Sequence, residues 1–130
     1  MILVDSSVWI DYFLGNDTPQ VEILHRSLGV REVGVGDLVL TEVLQGFRED
    51  KDYRIARSIM GELTVFEMLG KDLAIKSAEN FRKLRKQGIT VRKTADVIIA
   101  TYCIEHGIPL LFSDKDFKPF VQHLQLTEVQ

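Results

Sequence analysis

Short apolar runs alternate with longer amphipathic segments along the chain. Apolar runs of this length are typical of strands buried in a parallel sheet, whereas apolar residues three and four positions apart indicate helices. Strands that alternate with helices predict a mostly parallel sheet covered on both faces, which places the chain in the α/β class. The pattern predicts strands at 1–4, 33–35, 64–66 and 110–112, a last edge strand at 124–127, and helices at 8–14, 19–28, 38–44, 52–63, 71–87 and 95–106.

The segment 95–106 is apolar on nearly every face, so we predict a buried helix there rather than an amphipathic one. Thr94 is the expected N-cap, and Gly107 followed by Pro109 ends the helix. Asp96 lies in the first turn, where the helix dipole favours a carboxylate but the apolar surroundings do not. A carboxylate in a buried helix that already has a neutral cap is a candidate functional residue.

Further carboxylates fall at positions that a parallel sheet brings to the same edge. Asp5 and Asp114 each follow a predicted strand, and Glu42 lies about one turn into a helix. Ligands bind outside the carboxyl ends of the strands in open parallel sheets, and the helices that follow those strands begin at the same edge. We therefore expect these side chains to converge with Asp96 on one rim of the sheet.

Each of these acids also has a purely structural interpretation. Asp5 could cap the helix that starts near Ser7, and Asp114 and Asp116 could be turn residues. Glu42 could pair with a basic side chain. Like charges packed together raise pKa values or destabilise the fold unless a cation lies among them. Their joint convergence therefore favours a metal site.

The candidate ligands are all carboxylates, and oxygen-only ligands favour magnesium or manganese over zinc. Such an ion suits the hydrolysis of a phosphodiester, because it lowers the pKa of a bound water and neutralises charge at phosphorus. No other nucleophile is evident. Ser6 and Ser7 have no neighbouring histidine, Cys103 lies in the predicted buried helix, and a phosphate-binding glycine loop is absent.

Several blocks of the sequence resemble the signature blocks of PIN domains, and more narrowly those of VapC ribonuclease toxins from prokaryotic toxin–antitoxin pairs. The blocks are residues 5–13 (DSSVWIDYF), Glu42 in its helix, residues 95–100 (ADVIIA) and residues 111–117 (LFSDKDF). The resemblance extends over essentially the whole chain, in both order and spacing. It implies a three-layer α/β/α sandwich with a mostly parallel central sheet, formed by a single PIN domain over residues 1–130.

The resemblance also implies an activity and partners. The expected protein is an endoribonuclease toxin that depends on Mg²⁺ or Mn²⁺, forms a homodimer and is neutralised by a VapB-type antitoxin. Its catalytic acidic quartet falls on four positions of this chain: Asp5, Glu42, Asp96 and Asp114. We expect the three aspartates to hold the metal, and Glu42 to hold it through water or to orient the attacking water.

Other positions match less regular features of the same family. Asp116 matches a fifth acid, and Ser6 or Ser7 matches a hydroxyl that helps to hold the metal or the phosphate. No member of the quartet is missing, so nothing in the motif indicates an inactive enzyme. A PIN-like domain that only binds RNA or a partner protein is the alternative function. Metal-dependent cleavage that is lost on changing Asp5 or Asp96 would separate the two.

Other classes of protein with acidic sites fit the sequence poorly. A receiver domain needs paired acids after the first strand and a lysine after the last, whereas here Asp5 is followed by serines. A phosphatase of the haloacid-dehalogenase class needs a second aspartate two residues beyond the first, where this chain has Ser7.

The distribution of charge is more informative than the net charge of −3. Residues 82–93 carry six basic side chains and no acid. For the part from Arg82 to Lys86 the alternative is a solvated helix face. Arg92 and Lys93 lie just before Asp96, so we expect them to contact RNA phosphates, which would position the substrate without reading its sequence.

Composition adds few constraints. The chain has 130 residues, 45% of them apolar and 27% charged, which is the balance of one soluble globular domain. Its one cysteine cannot form an internal disulfide, and no charged leader or long apolar run is evident. We therefore expect a cytoplasmic protein that does not enter a membrane.

Overall fold

The computed structural model describes all 130 residues and contains four strands, seven α-helices and one short 3-10 helix. The strands are β1 (Ile2–Val4), β2 (Val33–Gly36), β3 (Thr64–Phe66) and β4 (Leu110–Leu111). The helices are α1 (Ser6–Leu14), α2 (Pro19–Ser27), α3 (Asp37–Gln45), α4 (Asp50–Gly61), α5 (Lys71–Lys86), α6 (Thr94–His106) and α7 (Lys118–Leu124), with the 3-10 helix at Lys115–Phe117. The strands β1 to β4 lie where the apolar runs predict them.

All strands pair in parallel, in the order β3-β2-β1-β4. The central strand β1 is held on both sides, since Leu3 is in register with Gly34 of β2 and with Leu110 of β4. Every residue of β1 is buried. A strand covered on both faces and paired on both edges has no solvated position, which explains why its sequence is an unbroken apolar run.

The helices form two layers because of the direction in which the chain crosses the sheet. It moves from β1 to β2 and on to β3, and then returns across the whole sheet from β3 to β4. Crossovers between parallel strands are right-handed in nearly all proteins, so the outward and the return crossovers cover opposite faces. Accordingly, α1 packs on α2 and α3, α3 packs on α4, and α5 packs on α6. The three-layer α/β/α sandwich with a parallel sheet is confirmed.

The helix α6 is buried from Asp96 to Cys103, as its apolar sequence predicts. Its cap differs from the prediction, however. Lys93 is the N-cap residue, no side chain caps the helix, and Thr94 is an exposed first helical residue. Asp96 is therefore the third residue of a helix without a neutral side-chain cap. The expectation that Thr94 already serves this helix end is wrong.

The segment after β4 also differs from the prediction. Residues 124–127 do not form an edge strand, because Lys118–Leu124 is the helix α7, and Gln125 leaves that helix with a left-handed φ of 67°. Beyond that residue the chain makes only a single parallel bridge, between Glu128 and Leu110. No helix of the chain is both long enough and apolar enough to cross a membrane.

Candidate metal centre

The neighbouring strands β1 and β4 mark a switch point of the sheet. After β1 the chain enters α1 on one face, and after β4 it enters the 3-10 helix and then α7, which packs on α5 of the other face. Such divergence opens a crevice at the carboxyl ends of the two strands. Asp5 and Asp114 follow β1 and β4, so they flank this crevice. The backbone N–H of Asp5 donates to the carbonyl oxygen of Leu111 at 2.9 Å.

Asp5 is buried, and its two carboxylate oxygens have different surroundings. Oδ2 accepts hydrogen bonds from the backbone N–H of Ser7 at 3.2 Å and from the Ser7 hydroxyl at 2.8 Å, so Asp5 caps α1. Oδ1 is buried without any partner. Burial raises the pKa of Asp5, and the hydrogen bonds from Ser7 lower it in part. The cap interpretation is thus correct for one oxygen and leaves the other free to bind a cation.

Asp96 is 4% exposed, and its Oδ2 has no hydrogen-bond partner. Burial, and after it the charge of Asp5, raise the pKa of Asp96 to about 7. The charge of Lys93 acts in the opposite direction and lowers that pKa. Without a metal, this carboxylate is therefore divided between its neutral and charged forms near neutral pH.

Glu42 reaches the same crevice from α3. Its side chain is half-buried, and Oε1 is buried without a partner. Burial raises the pKa of Glu42, and the charge of Asp5 raises it further, while Ser6 and Lys93 lower it. We call Asp5, Glu42 and Asp96 the inner carboxylates, because each of them holds one buried oxygen that no other group satisfies.

Asp114 and Asp116 are the outer carboxylates, and they are more exposed. Asp114 is the N-cap of the 3-10 helix, and its Oδ1 accepts the backbone N–H of Asp116 at 2.9 Å. One carboxylate oxygen from each of Asp96, Asp114 and Asp116 lies within 4.8 Å of the others, close enough for a shared cation. The inner and outer carboxylates together form the acidic cluster.

The two cations of the loop before α6 face the outer carboxylates. Lys93 Nζ lies 4.0 Å from Asp114 Oδ2, and an Arg92 guanidinium nitrogen lies 3.5 Å from Asp116 Oδ2. Their side chains are 63% and 80% exposed, respectively, so each retains an open side toward solvent. Sequence analysis places these residues beside the metal, but it does not show that carboxylates are their partners.

The structure therefore brings every predicted site residue to one rim of the sheet. The members of the tightest group, however, are Asp96, Asp114 and Asp116, so Asp116 lies more centrally than its irregular match to the family suggests. The 3-10 turn explains this position, because it folds Asp116 back over the oxygen of Asp114 that accepts its N–H. A capping aspartate two residues before another acid is the sequence signal for such a pair.

The residues present fit a hard divalent cation. Buried carboxylate oxygens without partners are costly unless a cation compensates for their charge, and such ions prefer oxygen ligands. Cys103 offers no competing chemistry, because burial, and after it the charge of Asp5, raise the pKa of its thiol to about 12. The arrangement can hold a divalent ion over the crevice and has no alternative nucleophile.

Comparisons with known proteins identify relatives over the same span. The family model of the PIN domain matches residues 2–120, which include the whole acidic cluster. Ribonuclease VapC11 of Mycobacterium tuberculosis is 29% identical over 122 residues, which cover 90% of this chain and 89% of that protein. A VapC ribonuclease of Mycobacterium bovis matches with the same identity and the same coverage.

Solved structures share the fold at low sequence identity. VapBC2 from Rickettsia felis, bound to a DNA fragment from its promoter, contains a chain that matches with a TM-score of 0.77 at 15% identity, over 99% of this chain and 98% of that one. DNA-bound VapBC from Salmonella typhimurium matches with a TM-score of 0.76 at 15% identity, over 99% and 98% of the two chains. These likenesses show the fold of the chain.

Proposed function

Because the chain belongs to the PIN-domain family, we propose that it is an endoribonuclease that depends on Mg²⁺ or Mn²⁺ and acts as the toxin of a VapBC-type pair. One observation carries the metal-dependent chemistry: the inner carboxylates each hold a buried oxygen without a partner, at the switch point of a parallel sheet. The VapC ribonucleases that resemble this chain support RNA as the substrate.

The side chains divide the work according to their surroundings. Asp5, Asp96 and Asp114 would hold the ion, with Asp116 beside them, and Ser7 fixes the orientation of Asp5 by occupying its other oxygen. When bound, such an ion lowers the pKa of a coordinated water and neutralises charge at phosphorus. Glu42 reaches the crevice from α3, on the side away from the outer carboxylates, where it would orient the attacking water.

Arg92 and Lys93 would contact the phosphates of the RNA. Both cations stand at the edge of the acidic cluster and are largely exposed. Contacts of this type position the backbone of the substrate and do not select its sequence. The proposed partners are accordingly single-stranded RNA, a VapB-type antitoxin and a second copy of the chain, in the cytoplasm.

Metal-dependent cleavage tests this proposal directly. We expect the purified protein to cleave single-stranded RNA with Mg²⁺ or Mn²⁺ and to stop when EDTA is added, as followed by gel electrophoresis of an end-labelled RNA. Asp5→Asn should lose cleavage under the same conditions, because the unpartnered oxygen of Asp5 would then belong to a neutral amide or be lost as an anionic ligand.

The alternative is a catalytically silent PIN-like module that binds RNA or a protein. It predicts RNA binding without cleavage in either metal, for both the parent and Asp5→Asn. Cleavage that continues unchanged in EDTA would instead contradict the metal mechanism. A contaminating ribonuclease is excluded when Asp5→Asn, purified in the same way, is inactive.

A further inference from the structure

The acidic cluster divides into carboxylates that already have a cation and carboxylates that have none. Each outer carboxylate faces one basic side chain, Asp114 facing Lys93 at 4.0 Å and Asp116 facing Arg92 at 3.5 Å. The second oxygen of Asp114 is also engaged, because it accepts the N–H of Asp116. The inner carboxylates contribute the unsatisfied buried oxygens.

This division bears on the number of ions that the cluster can hold. Two divalent ions bridged by carboxylates usually lie about 3.5–4 Å apart and share their ligands. A second ion beside the first would need the outer carboxylates, since the inner ones surround the buried end of the crevice. The outer carboxylates face Arg92 and Lys93, whose charges repel a further cation.

The start of α6 adds to the same effect. Lys93 is the N-cap residue of this 13-residue helix, so the positive end of the helix dipole lies directly beneath its ammonium group. The free backbone N–H groups of the first turn have no side-chain cap. The outer side of the crevice therefore presents the helix end and two basic side chains toward the outer carboxylates.

We infer that Arg92 and Lys93 take the place of a second divalent ion, so that the acidic cluster holds a single one. This inference rests on the proposed metal-dependent function. The single ion binds at the inner carboxylates and shares Asp114 with Lys93. The two basic side chains neutralise the outer carboxylates at all times, and their exposed sides remain open to a phosphate.

Mn²⁺ binding to the protein without RNA tests the inference. The stoichiometry is measured by isothermal titration calorimetry, and the spectrum of the bound Mn²⁺ by electron paramagnetic resonance, which detects spin coupling between adjacent ions. The parent should bind a single uncoupled Mn²⁺ per chain. The double variant Arg92→Gln with Lys93→Gln should bind a second Mn²⁺ and show the coupled signal. Both side chains are exposed, so the variant should keep the fold.

Two controls separate charge at the site from charge in general. Lys76→Gln also removes an exposed lysine that pairs with an acid of α6, Glu105, at 2.7 Å. Glu105 is nine residues beyond Asp96, or about 14 Å along the helix at about 1.5 Å per residue. This variant should still bind a single ion. The charge-conserving double variant Arg92→Lys with Lys93→Arg should do the same.

The outcomes distinguish this inference from the proposed function. A parent that binds two coupled ions, or a glutamine double variant that still binds only one, would overturn the inference while leaving a metal-dependent nuclease intact. A parent that binds no Mn²⁺ would overturn the metal site itself and the proposed chemistry with it. A thermal melt of each variant confirms that the protein titrated is folded.

Discussion

Asp96 links the chemistry of the crevice to the stability of the fold. It is buried, and its pKa is raised to about 7 by that burial and by the charge of Asp5, with a smaller contribution from Asp114. A carboxylate of this kind destabilises the metal-free protein when it is charged. The same charge is what a divalent ion requires, so Asp96 favours metal binding at the expense of stability without the metal.

We therefore predict that Asp96→Asn abolishes cleavage without destabilising the metal-free protein. In EDTA near neutral pH the variant should be as stable as the parent, or more stable by up to about 4 kcal/mol, since each pKa unit corresponds to about 1.4 kcal/mol. Magnesium binds only the folded state, so it should raise the Tm of the parent and raise that of the variant much less. Thermal melts of both proteins, with EDTA and with Mg²⁺, measure these differences.

Asp17→Asn is the matched control, because Asp17 is exposed in the turn before α2. It should respond to Mg²⁺ as the parent does. If Asp96→Asn melts well below the parent in EDTA, Asp96 has a structural role, and the proposed site loses its central residue.

At the scale of single residues, sequence analysis could place the acids but not their separate oxygens. Strand ends and a helix start were enough to bring Asp5, Asp96 and Asp114 to one rim. The sequence could not show that Ser7 takes one oxygen of Asp5 and leaves the other free, because this depends on a side-chain rotamer. It also misassigned the cap of α6, since both Lys93 and Thr94 can precede a helix.

At the scale of elements, the position of α6 depends on a buried polar contact with α5. The side-chain amide of Asn80 donates to the hydroxyl of Thr101 at 3.0 Å, and both residues are buried. Nearby, Lys76 and Glu105 form an exposed ion pair between the same helices. A buried hydrogen bond leaves a costly unpaired group when one partner is removed, whereas an exposed ion pair contributes little.

We predict that Thr101→Val lowers the free energy of unfolding by about 1–3 kcal/mol, because it leaves the buried amide of Asn80 without its acceptor. Adding Asn80→Leu should recover part of this loss, since both polar groups are then absent. Urea unfolding of the single and double variants gives the coupling between the two positions. Lys76→Gln, as the control, should change stability much less. Additive effects of the two substitutions would show that the contact does not couple the helices.

Element boundaries were predictable where the sequence carries clear end signals, and α7 shows where such signals were missing. Phe117 to Phe120 includes a proline that reads equally well as a helix start or as part of a loop. The helix forms because Phe117 and Phe120 are fully buried against the rest of the core. That burial is a tertiary effect, which the local pattern does not contain.

At the scale of the whole molecule, the inner carboxylates determine how stability depends on pH. Burial is the first cause that raises the pKa of each of Asp5, Glu42 and Asp96. A group whose folded pKa is raised binds more protons in the folded state than in the unfolded state. Its stabilising contribution is fully present below the unfolded pKa, near 4, and is lost as pH rises through the folded pKa.

We predict that the metal-free protein is most stable at mildly acidic pH. Its Tm in EDTA should fall as pH rises from about 5 to about 8, because that window spans the rise of Asp96 to a pKa of about 7. Mg²⁺ competes with protons for the same oxygens, so its stabilising effect should grow over the same window. Melts at closely spaced pH values measure both trends. A Tm in EDTA that rises steadily toward pH 8 would contradict the raised pKa values.

The layer architecture was predictable because apolar runs and amphipathic segments alternate along the chain. The order of the strands was not. Buried runs such as those of β1, β2 and β4 are similar in length and composition, so the pattern does not say which of them is central. The structure shows that β1 lies between β2 and β4, which is what opens the crevice beside Asp5.

The pairing of β1 with β4 joins the first strand of the chain to the last. Leu3 is in register with Leu110, so almost the entire polypeptide must be made before this pair can close. Pairings between residues far apart in sequence form slowly, and during synthesis the N-terminal part emerges first. Asp5 leaves the ribosome early and waits for Asp114 and Asp116. The acidic cluster is therefore completed only near the end of translation, so a nascent chain cannot become a nuclease while most of it is still being made.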